Sequence, residues 1–221
     1  MGRTASLLTS SQPNIRGFIV HTAACRDRCN RTDPADKVLH EIEEMGERSF
    51  IPSIGPDKGK ILAKLVRDKK PKRILEVGAL YGYSAILMAK NAPEAEVVTV
   101  EKSPEHAGIT KNNVKRAGLE NRINVIEGDA TKVLPKIQGT FDLVFLDANK
   151  GEYLAYLKAV EKRLPKGGVV VADNVGIFKD EMPDFLDYVR NRGRYKSRTV
   201  ETLLEFSTAE KDAMEISEKM D

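Results

Sequence analysis

The segment Glu76-Val77-Gly78-Ala79-Leu80-Tyr81-Gly82 decides the fold of this chain. It follows a short apolar run and precedes an amphipathic stretch, so it predicts a strand, a tight glycine turn and a helix. The glycines let the backbone approach a ligand closely, and the helix N-terminus offers unpaired N–H groups to an anion such as an amino-acid carboxylate. The Ser84 hydroxyl would add a further donor. A glycine turn that serves packing alone is the alternative interpretation.

The same alternation of strand and helix extends along the chain. Five short runs are apolar on both faces, as in a parallel sheet covered by helices, and predict strands at 73–77, 97–101, 123–126, 141–147 and 168–173. Helical patterns are predicted at 84–91, 104–117, 131–137, 153–163 and 183–190. Two final strands are predicted at 195–200 and 203–207. This order predicts a Rossmann-like α/β fold, with a doubly wound, mostly parallel seven-stranded sheet and helices on both faces.

Two helices are predicted ahead of the sheet. Asp33 can cap the first and Pro34 can occupy its first turn. The apolar stripe of this helix is formed by Val38, Leu39, Ile42 and Met45. A second helix after Gly55-Pro56 is expected to bury Ile61, Leu62, Leu65 and Val66. Residues 1–32 are rich in Ser, Thr, Arg and Asn without periodicity, so we expect a poorly ordered extension before one domain at 33–221.

The composition narrows the class of protein. The chain has 221 residues, of which 41% are hydrophobic, and a net charge of only +3, too balanced to indicate nucleic-acid binding by itself. No apolar run approaches the roughly 20 residues that cross a membrane. Cys25 and Cys29 lack a second pair, which argues against a zinc site or a disulfide framework. We therefore expect a cytoplasmic protein, and leave monomer and homodimer open.

Two later strand ends add groups suited to a nucleoside. Glu101 ends the second predicted strand, 25 positions after Glu76 (101 − 76), where a carboxylate can accept hydrogen bonds from both ribose hydroxyls. The third strand is followed by Asp129 and Ala130, where an adenine edge would lie. Asp129 is equally suited to cap the next helix, and the two roles are compatible. Together these ends favour a nucleoside-like ligand over a packing turn.

The fourth and fifth strand ends bring Asp147, Asp173 and Asn174 to one edge of the sheet. Carboxylate and amide oxygens are ligands that suit Mg²⁺, and a cation would relieve the repulsion between the two carboxylates. A helix cap at Asp147 and a turn at Asp173-Asn174 would explain the same residues without a metal. Lys150 lies within a helical turn of Asp147, and near a divalent cation its pKa would fall towards that of a usable base. An ordinary surface lysine is the alternative.

These motifs resemble catechol O-methyltransferase and the related metal-dependent O-methyltransferases that include the caffeoyl-CoA type. The resemblance runs from about residue 49 to residue 218 and rests on joint matches rather than on one motif. It is carried by Ile54-Gly55-Pro56-Asp57-Lys58-Gly59-Lys60, Leu75-Glu76-Val77-Gly78, Gly82-Tyr83-Ser84-Ala85, Val144-Phe145-Leu146-Asp147, Ala172-Asp173-Asn174-Val175, Pro183-Asp184-Phe185-Leu186, Val189-Arg190 and Leu204-Glu205-Phe206.

The resemblance implies a class I methyltransferase that uses S-adenosylmethionine (SAM) and Mg²⁺ to methylate a hydroxyl of a catechol or related phenol. Asp147, Asp173 and Asn174 would be the metal ligands, and Lys150 the general base. Acceptor contacts would come from Lys150, Asn174 and Phe50, the last as an apolar wall. The implied cofactor contacts are Ile54, Glu76, Gly78, Tyr83, Ser84, Glu101, Lys102, Asp129, Ala130 and Asp147.

The chain also departs from the family pattern. Ala148 and Asn149 replace a histidine and a tryptophan, and the chain has no Trp. The loop at 176–182 is longer than in the animal enzyme. The family's acidic contact to the second catechol hydroxyl aligns with Lys196, with Glu201 or Glu205 as possible substitutes. These departures leave the acceptor and its regioselectivity open.

Two other functions fit parts of the sequence. Basic stretches at 69–73 and 190–198 suggest methylation of a tRNA or another RNA, although solvated charge explains them as well. A non-catalytic SAM-binding protein would need only the cofactor residues. It leaves the oxygen ligands and Lys150 without a role.

Overall fold

A computed structural model describes residues 33–49 and 51–221, and the extension predicted at 1–32 lies outside them. Its α-helices are α1 (Pro34–Ser49), α2 (Gly55–Lys69), α3 (Tyr83–Asn91), α4 (Pro104–Arg116), α5 (Ala130–Val133), α6 (Tyr153–Val160) and α7 (Pro183–Asn191). Its strands are β1 (Arg73–Val77), β2 (Glu96–Glu101), β3 (Ile123–Glu127), β4 (Leu143–Leu146), β5 (Val169–Ala172), β6 (Tyr195–Leu203) and β7 (Lys211–Lys219). Short 3₁₀ turns occur at Leu134–Lys136, Lys150–Glu152, Glu161–Arg163 and Lys179–Glu181.

The strands of the described residues form one seven-stranded sheet in the order β3-β2-β1-β4-β5-β7-β6. The pairs β3–β2, β2–β1, β1–β4 and β4–β5 are parallel. Strand β7 pairs antiparallel with both β5 and β6. The predicted Rossmann-like, doubly wound and mostly parallel sheet is therefore confirmed. The strand order reverses between β1 and β4, and such a reversal is where α/β sheets bind ligands.

Alternating side chains of the central strands enter two cores, one on each face of the sheet. Leu143 and Phe145 of β4 belong to the core beneath α1 to α4, whereas Val144 and Leu146 belong to the core beneath α5 to α7. All four are fully buried. Truncating a buried side chain such as Phe145 to alanine typically costs about 3 to 5 kcal/mol of stability.

The helix starts follow the predicted chemistry. The Asp33 carboxylate accepts a hydrogen bond from the Ala35 amide at 3.0 Å, and α1 begins at Pro34. Val38, Leu39 and Ile42 are buried, but Met45 is 43% exposed, so its place in the apolar stripe was predicted wrongly. In the last turn of α1, Gly46 rather than Met45 is the buried residue.

The C-terminal strands differ from the prediction. The first continues to Leu203, and the second is β7 at Lys211–Lys219 instead of 203–207. Leu204 to Phe206 belong to the turn between them, where Phe206 has a left-handed φ of 56°. Because β7 contains polar residues that are buried, the pattern of hydrophobic residues did not predict this strand.

No helix of the described residues is both long and apolar enough to cross a membrane. The cytoplasmic location and the choice between monomer and homodimer stay predictions.

Candidate active site

A cleft of about 450 Å³ lies at the carboxyl ends of the strands, beside the reversal of strand order. Its volume falls in the range of small-molecule sites. Nine of the ten predicted cofactor residues line it: Ile54, Gly78, Tyr83, Ser84, Glu101, Lys102, Asp129, Ala130 and Asp147. Phe50 lies outside the described residues, so its predicted role as an acceptor wall stays a prediction.

The glycine turn forms one side of this cleft. Gly78 has a left-handed φ of 96°, and a Cβ atom there would lie 2.0 Å from the Asp147 carbonyl oxygen. Only glycine therefore lets β1 and β4 meet so closely at their ends. Gly82 precedes α3, whose first N–H groups have no side-chain cap. These N–H groups can receive an anionic ligand.

Glu101 braces the glycine turn from β2. One of its carboxylate oxygens, Oε2, accepts hydrogen bonds from the amides of Ala79 (3.1 Å) and Leu80 (2.9 Å). The other oxygen, Oε1, accepts one from the Ser103 amide at 2.8 Å. A carboxylate accepts about four hydrogen bonds, which leaves capacity for about one more. In this arrangement Glu101 can accept a hydrogen bond from one ribose hydroxyl rather than from the two expected from the sequence.

Glu76 is the predicted cofactor residue that does not line the cleft. It is fully buried beneath it, and one of its oxygens, Oε1, has no hydrogen-bond partner among the described residues. Burial raises the pKa of Glu76 to about 7, although the hydroxyls of Ser84 and Thr99 oppose this rise. An unpaired buried acceptor is costly, so it suits a ligand that brings a donor.

The remaining cofactor residues have additional structural contacts. Asp129 accepts hydrogen bonds from the amide and the hydroxyl of Thr131 at 3.0 and 2.7 Å, so its capping role is confirmed. Its contact with adenine stays a prediction. The Tyr83 hydroxyl donates to Glu43 of α1, which ties the cofactor side of the cleft to the first helix.

The reacting end of the cleft contains a chain of hydrogen bonds through Lys150. Its ammonium nitrogen lies 2.9 Å from Asp147 Oδ1 and 2.9 Å from the Tyr153 hydroxyl oxygen. Tyr153 in turn donates to the Asp173 carbonyl oxygen at 3.3 Å. The Lys150 side chain is only 13% exposed. Its geometry is therefore fixed from two sides, unlike that of an ordinary surface lysine.

A second ammonium group, that of Lys58, lies behind this end. Lys58 Nζ contacts Asp173 Oδ2 at 3.0 Å, Asp212 Oδ2 at 2.5 Å and Glu205. Burial alone would lower the pKa of Lys58, but ion pairs with Asp173, Glu205 and Asp212 outweigh it and raise that pKa above its ordinary value. Burial and the charge of Asp147 raise the pKa of Asp173 well above its usual range, and Lys58 opposes this rise.

Asn174 lies between the cleft and the carboxylates that surround Lys58. Its side-chain nitrogen donates to Glu205 at 2.9 Å and to Asp212 at 2.8 Å, which fixes the orientation of the amide. The amide oxygen is thereby left to other partners, and Asn174 lines the cleft. The left-handed φ of 59° at this residue is a strained conformation of the kind found at functional sites.

The donor set fits a divalent cation. Asp173 Oδ1 is buried and lacks a hydrogen bond within the described residues, although Lys58 Nζ lies 2.9 Å away. Asp147 and Asn174 bring further oxygens from adjacent strand ends, since β4 pairs with β5. Carboxylate and amide oxygens are ligands that Mg²⁺ accepts.

Lys196, with which the family's acidic contact aligns, does not line this cleft. It lies on β6 beside a separate cavity with Leu65 and Glu218. Of the two substitutes considered, Glu205 lines the cleft and Glu201 is exposed on β6. The alignment failed because β6 extends to Leu203, beyond its predicted end at residue 200, and the acidic residue that lines the cleft lies in the turn after it.

Residues that differ from the family pattern also line the cleft. Ala148 and Asn149 do so in place of two larger rings. The loop after Asn174 contributes Ile177, which is 42% exposed, and Phe178, whose ring centre lies 6.0 Å from Lys150 Nζ. Apolar groups of this loop therefore lie beside the charged centre.

Three polar residues of the site were not identified from the sequence: Lys58, Asp212 and Tyr153. A signal for Lys58 was present, because it lies four and seven positions before the buried Leu62 and Leu65. A lysine in the apolar stripe of a helix is rarely buried unless it is paired. Asp212 had no such signal, since its strand was not predicted.

Comparison with known proteins agrees with the fold. The fold is that of a class I methyltransferase, and residues 31–184 match the O-methyltransferase family. The chain therefore belongs to the O-methyltransferase family and is a SAM-dependent O-methyltransferase.

Individual relatives are similar over most of the chain. Catechol O-methyltransferase B of Danio rerio is 36% identical over 203 residues, which cover 88% of this chain and 75% of that protein. Catechol O-methyltransferase of Mycobacterium tuberculosis is 39% identical over 145 residues, covering 65% and 66%. The O-methyltransferase of Bacillus cereus, solved in complex with SAH, superposes with a TM-score of 0.73 and 25% identity over 89% of this chain and 96% of that one.

Proposed function

We propose that this enzyme transfers the methyl group of SAM to one hydroxyl of a catechol-type small molecule, that the reaction depends on Mg²⁺, and that Lys150 is its general base. The observation that carries the proposal is the position of Lys150. It lies between Asp147 and Tyr153 in the same cleft as the glycine turn. A base, oxygen ligands and a cofactor turn in one cleft are the parts that O-methylation requires.

Charge balance supports the metal. The charged groups at this end are four carboxylates and two ammonium groups: Asp147, Asp173, Glu205, Asp212, Lys58 and Lys150. The carboxylates at this end outnumber the ammonium groups, and a divalent cation would relieve that excess of negative charge. Asp147, Asp173 and Asn174 would hold that cation. When bound, it would acidify a coordinated hydroxyl and lower the pKa of a nearby lysine.

The chain's own residues would then position the acceptor. Lys150 takes the hydroxyl proton, and its bonds to Asp147 and Tyr153 keep its nitrogen in place for that transfer. Glu205 can accept a hydrogen bond from a second, adjacent hydroxyl. Ile177, Phe178 and Leu204 form an apolar wall that suits an aromatic ring. Two neighbouring hydroxyls on one ring match this pair of polar contacts.

RNA methylation is supported less well. Part of the basic charge in these stretches is neutralised by ion pairs, such as Lys69 with Glu218 and Arg190 with Glu215, at 2.9 and 2.8 Å. Lys69 and Lys72 also precede β1, at the end of the sheet opposite to the cleft. These lysines are poorly placed to guide an RNA to the methyl donor.

An assay with labelled SAM tests the proposal. Catechol, a phenol with one hydroxyl, a caffeoyl ester and bulk tRNA would each be offered with Mg²⁺ and with EDTA. We expect methylation of catechol that stops in EDTA, and little transfer to the single-hydroxyl phenol. Equal turnover in EDTA would refute the metal role, and transfer to tRNA in place of catechol would refute the acceptor class.

A further inference from the structure

A buried ammonium group occupies the centre of a carboxylate cluster behind the cleft. Lys58 is 1% exposed, and its nitrogen contacts one oxygen each of Asp212 and Glu205 and the carboxylate of Asp173. An ammonium group has three N–H donors, and three carboxylates use all of them. Lys58 is therefore fully satisfied by this cluster.

The cluster has the composition of a cation site. Asp173 follows β5, Glu205 lies in the turn after β6, and Asp212 lies at the start of β7. One oxygen from each of these residues lies within 4.8 Å of the others. Three converging carboxylates would bind a divalent ion in the absence of another cation. The ammonium of Lys58 is already in that place.

Asp173 belongs to this cluster and also to the proposed metal-binding set with Asp147 and Asn174. Two divalent ions sharing Asp173 would place four positive charges beside the cleft, where the sulfonium of SAM adds another. One ammonium and one divalent ion avoid that excess. The two cation positions are thus filled by different kinds of cation.

We propose that Lys58 is a built-in cation that fills a second cation position, formed by Asp173, Glu205 and Asp212, and so confines a divalent ion to the position at Asp147, Asp173 and Asn174. The proposal rests on the proposed metal dependence only for the position at Asp147, Asp173 and Asn174. Both Lys58 and Asn174 engage Oε1 of Glu205. Its Oε2 is left for the acceptor, whereas a chelated divalent ion would compete for it.

Metal stoichiometry tests the proposal. Replacing Lys58→Met removes the ammonium and keeps a side chain of similar length. We expect this variant to bind one Mn²⁺ per chain more than the wild type, measured by electron paramagnetic resonance of free Mn²⁺ during titration. Lys60→Met is the matched control, because Lys60 lies on the same helix but is exposed and pairs with Asp57. It should bind as the wild type does.

A double variant shows whether the additional ion binds at the carboxylate cluster or results from a general disturbance of the fold. Lys58→Met/Asp212→Asn removes one carboxylate of the cluster and should lose the additional ion. An equal number of ions in the wild type and in Lys58→Met would overturn the proposal. A wild type that binds no Mn²⁺ would refute the metal role of the proposed function, while the difference between wild type and variant still tests Lys58.

Folding of the variant is measured in parallel by thermal denaturation with EDTA and with Mn²⁺. Mn²⁺ should raise the melting temperature of Lys58→Met more than that of the wild type, since an ion replaces the missing charge. Folding only in the presence of Mn²⁺ would support the same conclusion. A chain that stays unfolded at saturating Mn²⁺, or that gains no more than the wild type, would contradict it.

Discussion

The two ends of the cleft are built in different ways. The cofactor end uses a glycine turn, backbone N–H groups and Glu101, all drawn from β1, β2 and the segments that follow them. The reacting end uses charged side chains that are far apart in the chain. Lys58 and Asp212, for example, are separated by 154 positions.

This difference separates binding from chemistry. Backbone groups and a braced turn recognise a cofactor without moving, so changes there should alter its affinity. The reacting end concentrates four carboxylates and two ammonium groups, whose electrostatic fields act on the charge that develops during the reaction. Substitutions at the two ends should therefore separate cofactor affinity from turnover.

The largest expected effect is the loss of turnover in Lys150→Met. Without the base, kcat should fall by about 1,000-fold, within the range for general-base catalysis. SAM affinity, measured by calorimetry, should fall far less than kcat, because Lys150 bonds to the side chains of Asp147 and Tyr153 and not to the glycine turn. Lys162→Met, at an exposed lysine, is the control. Parallel losses in turnover and SAM affinity would show that Lys150 is not the base.

A smaller effect is expected for Glu205→Gln, which tests the acceptor contact. Glutamine keeps the Oε1 acceptor for Lys58 and Asn174 but lacks the second acceptor oxygen. We expect kcat/KM for catechol to fall roughly 50-fold, the value of a hydrogen bond to a charged group. SAM affinity should be unchanged, and the ratio of the two methylated products should shift.

Glu201→Gln and Lys196→Glu are matched controls for that change. Both residues are exposed on β6, so neither substitution should change kcat/KM for catechol. A loss of catechol turnover in Lys196→Glu equal to that in Glu205→Gln would restore the alignment that the structure contradicts.

The same division explains what the sequence could predict. The order of strands and helices through β5 follows from local periodicity, and so do the cofactor residues, which lie directly after strands. Asp147, Asp173 and Asn174 also follow strands, so the sequence places them at one edge. Each of these predictions needed only a local pattern and the rule that parallel strands end together.

Glu205 and Asp212 needed long-range information. A Cβ atom on Gly46 of α1 would lie 2.2 Å from the Phe206 ring, so the turn that carries Glu205 is fixed by a residue distant in the chain. In β7, Asp212 and Glu215 are buried through ion pairs with Lys58 and Arg190. A hydrophobicity pattern therefore predicts that such a strand is exposed, although its charged residues are buried in ion pairs.

The smallest effect tests the cofactor end through the pH dependence of stability in Glu76→Gln. The pKa of Glu76 is about 7 in the folded chain and 4.5 ordinarily, so the folded state binds more protons between these values. Stability of the wild type relative to the variant should therefore fall as pH rises through this window and then level off. Between about pH 5 and about pH 8 the relative loss should be roughly 2 kcal/mol.

Urea denaturation of both proteins at the two pH values measures this difference, with Glu96→Gln, at an exposed residue of the adjacent β2, as control. SAM should reduce the loss in the wild type if it brings a donor to the unpaired Oε1 of Glu76, and it should bind Glu76→Gln more weakly. Equal pH dependence in the wild type and Glu76→Gln would mean that this carboxylate is already ionised in the folded chain. Glu76 would then carry a buried charge without a cofactor, and the cofactor end would resemble the reacting end in its dependence on charge.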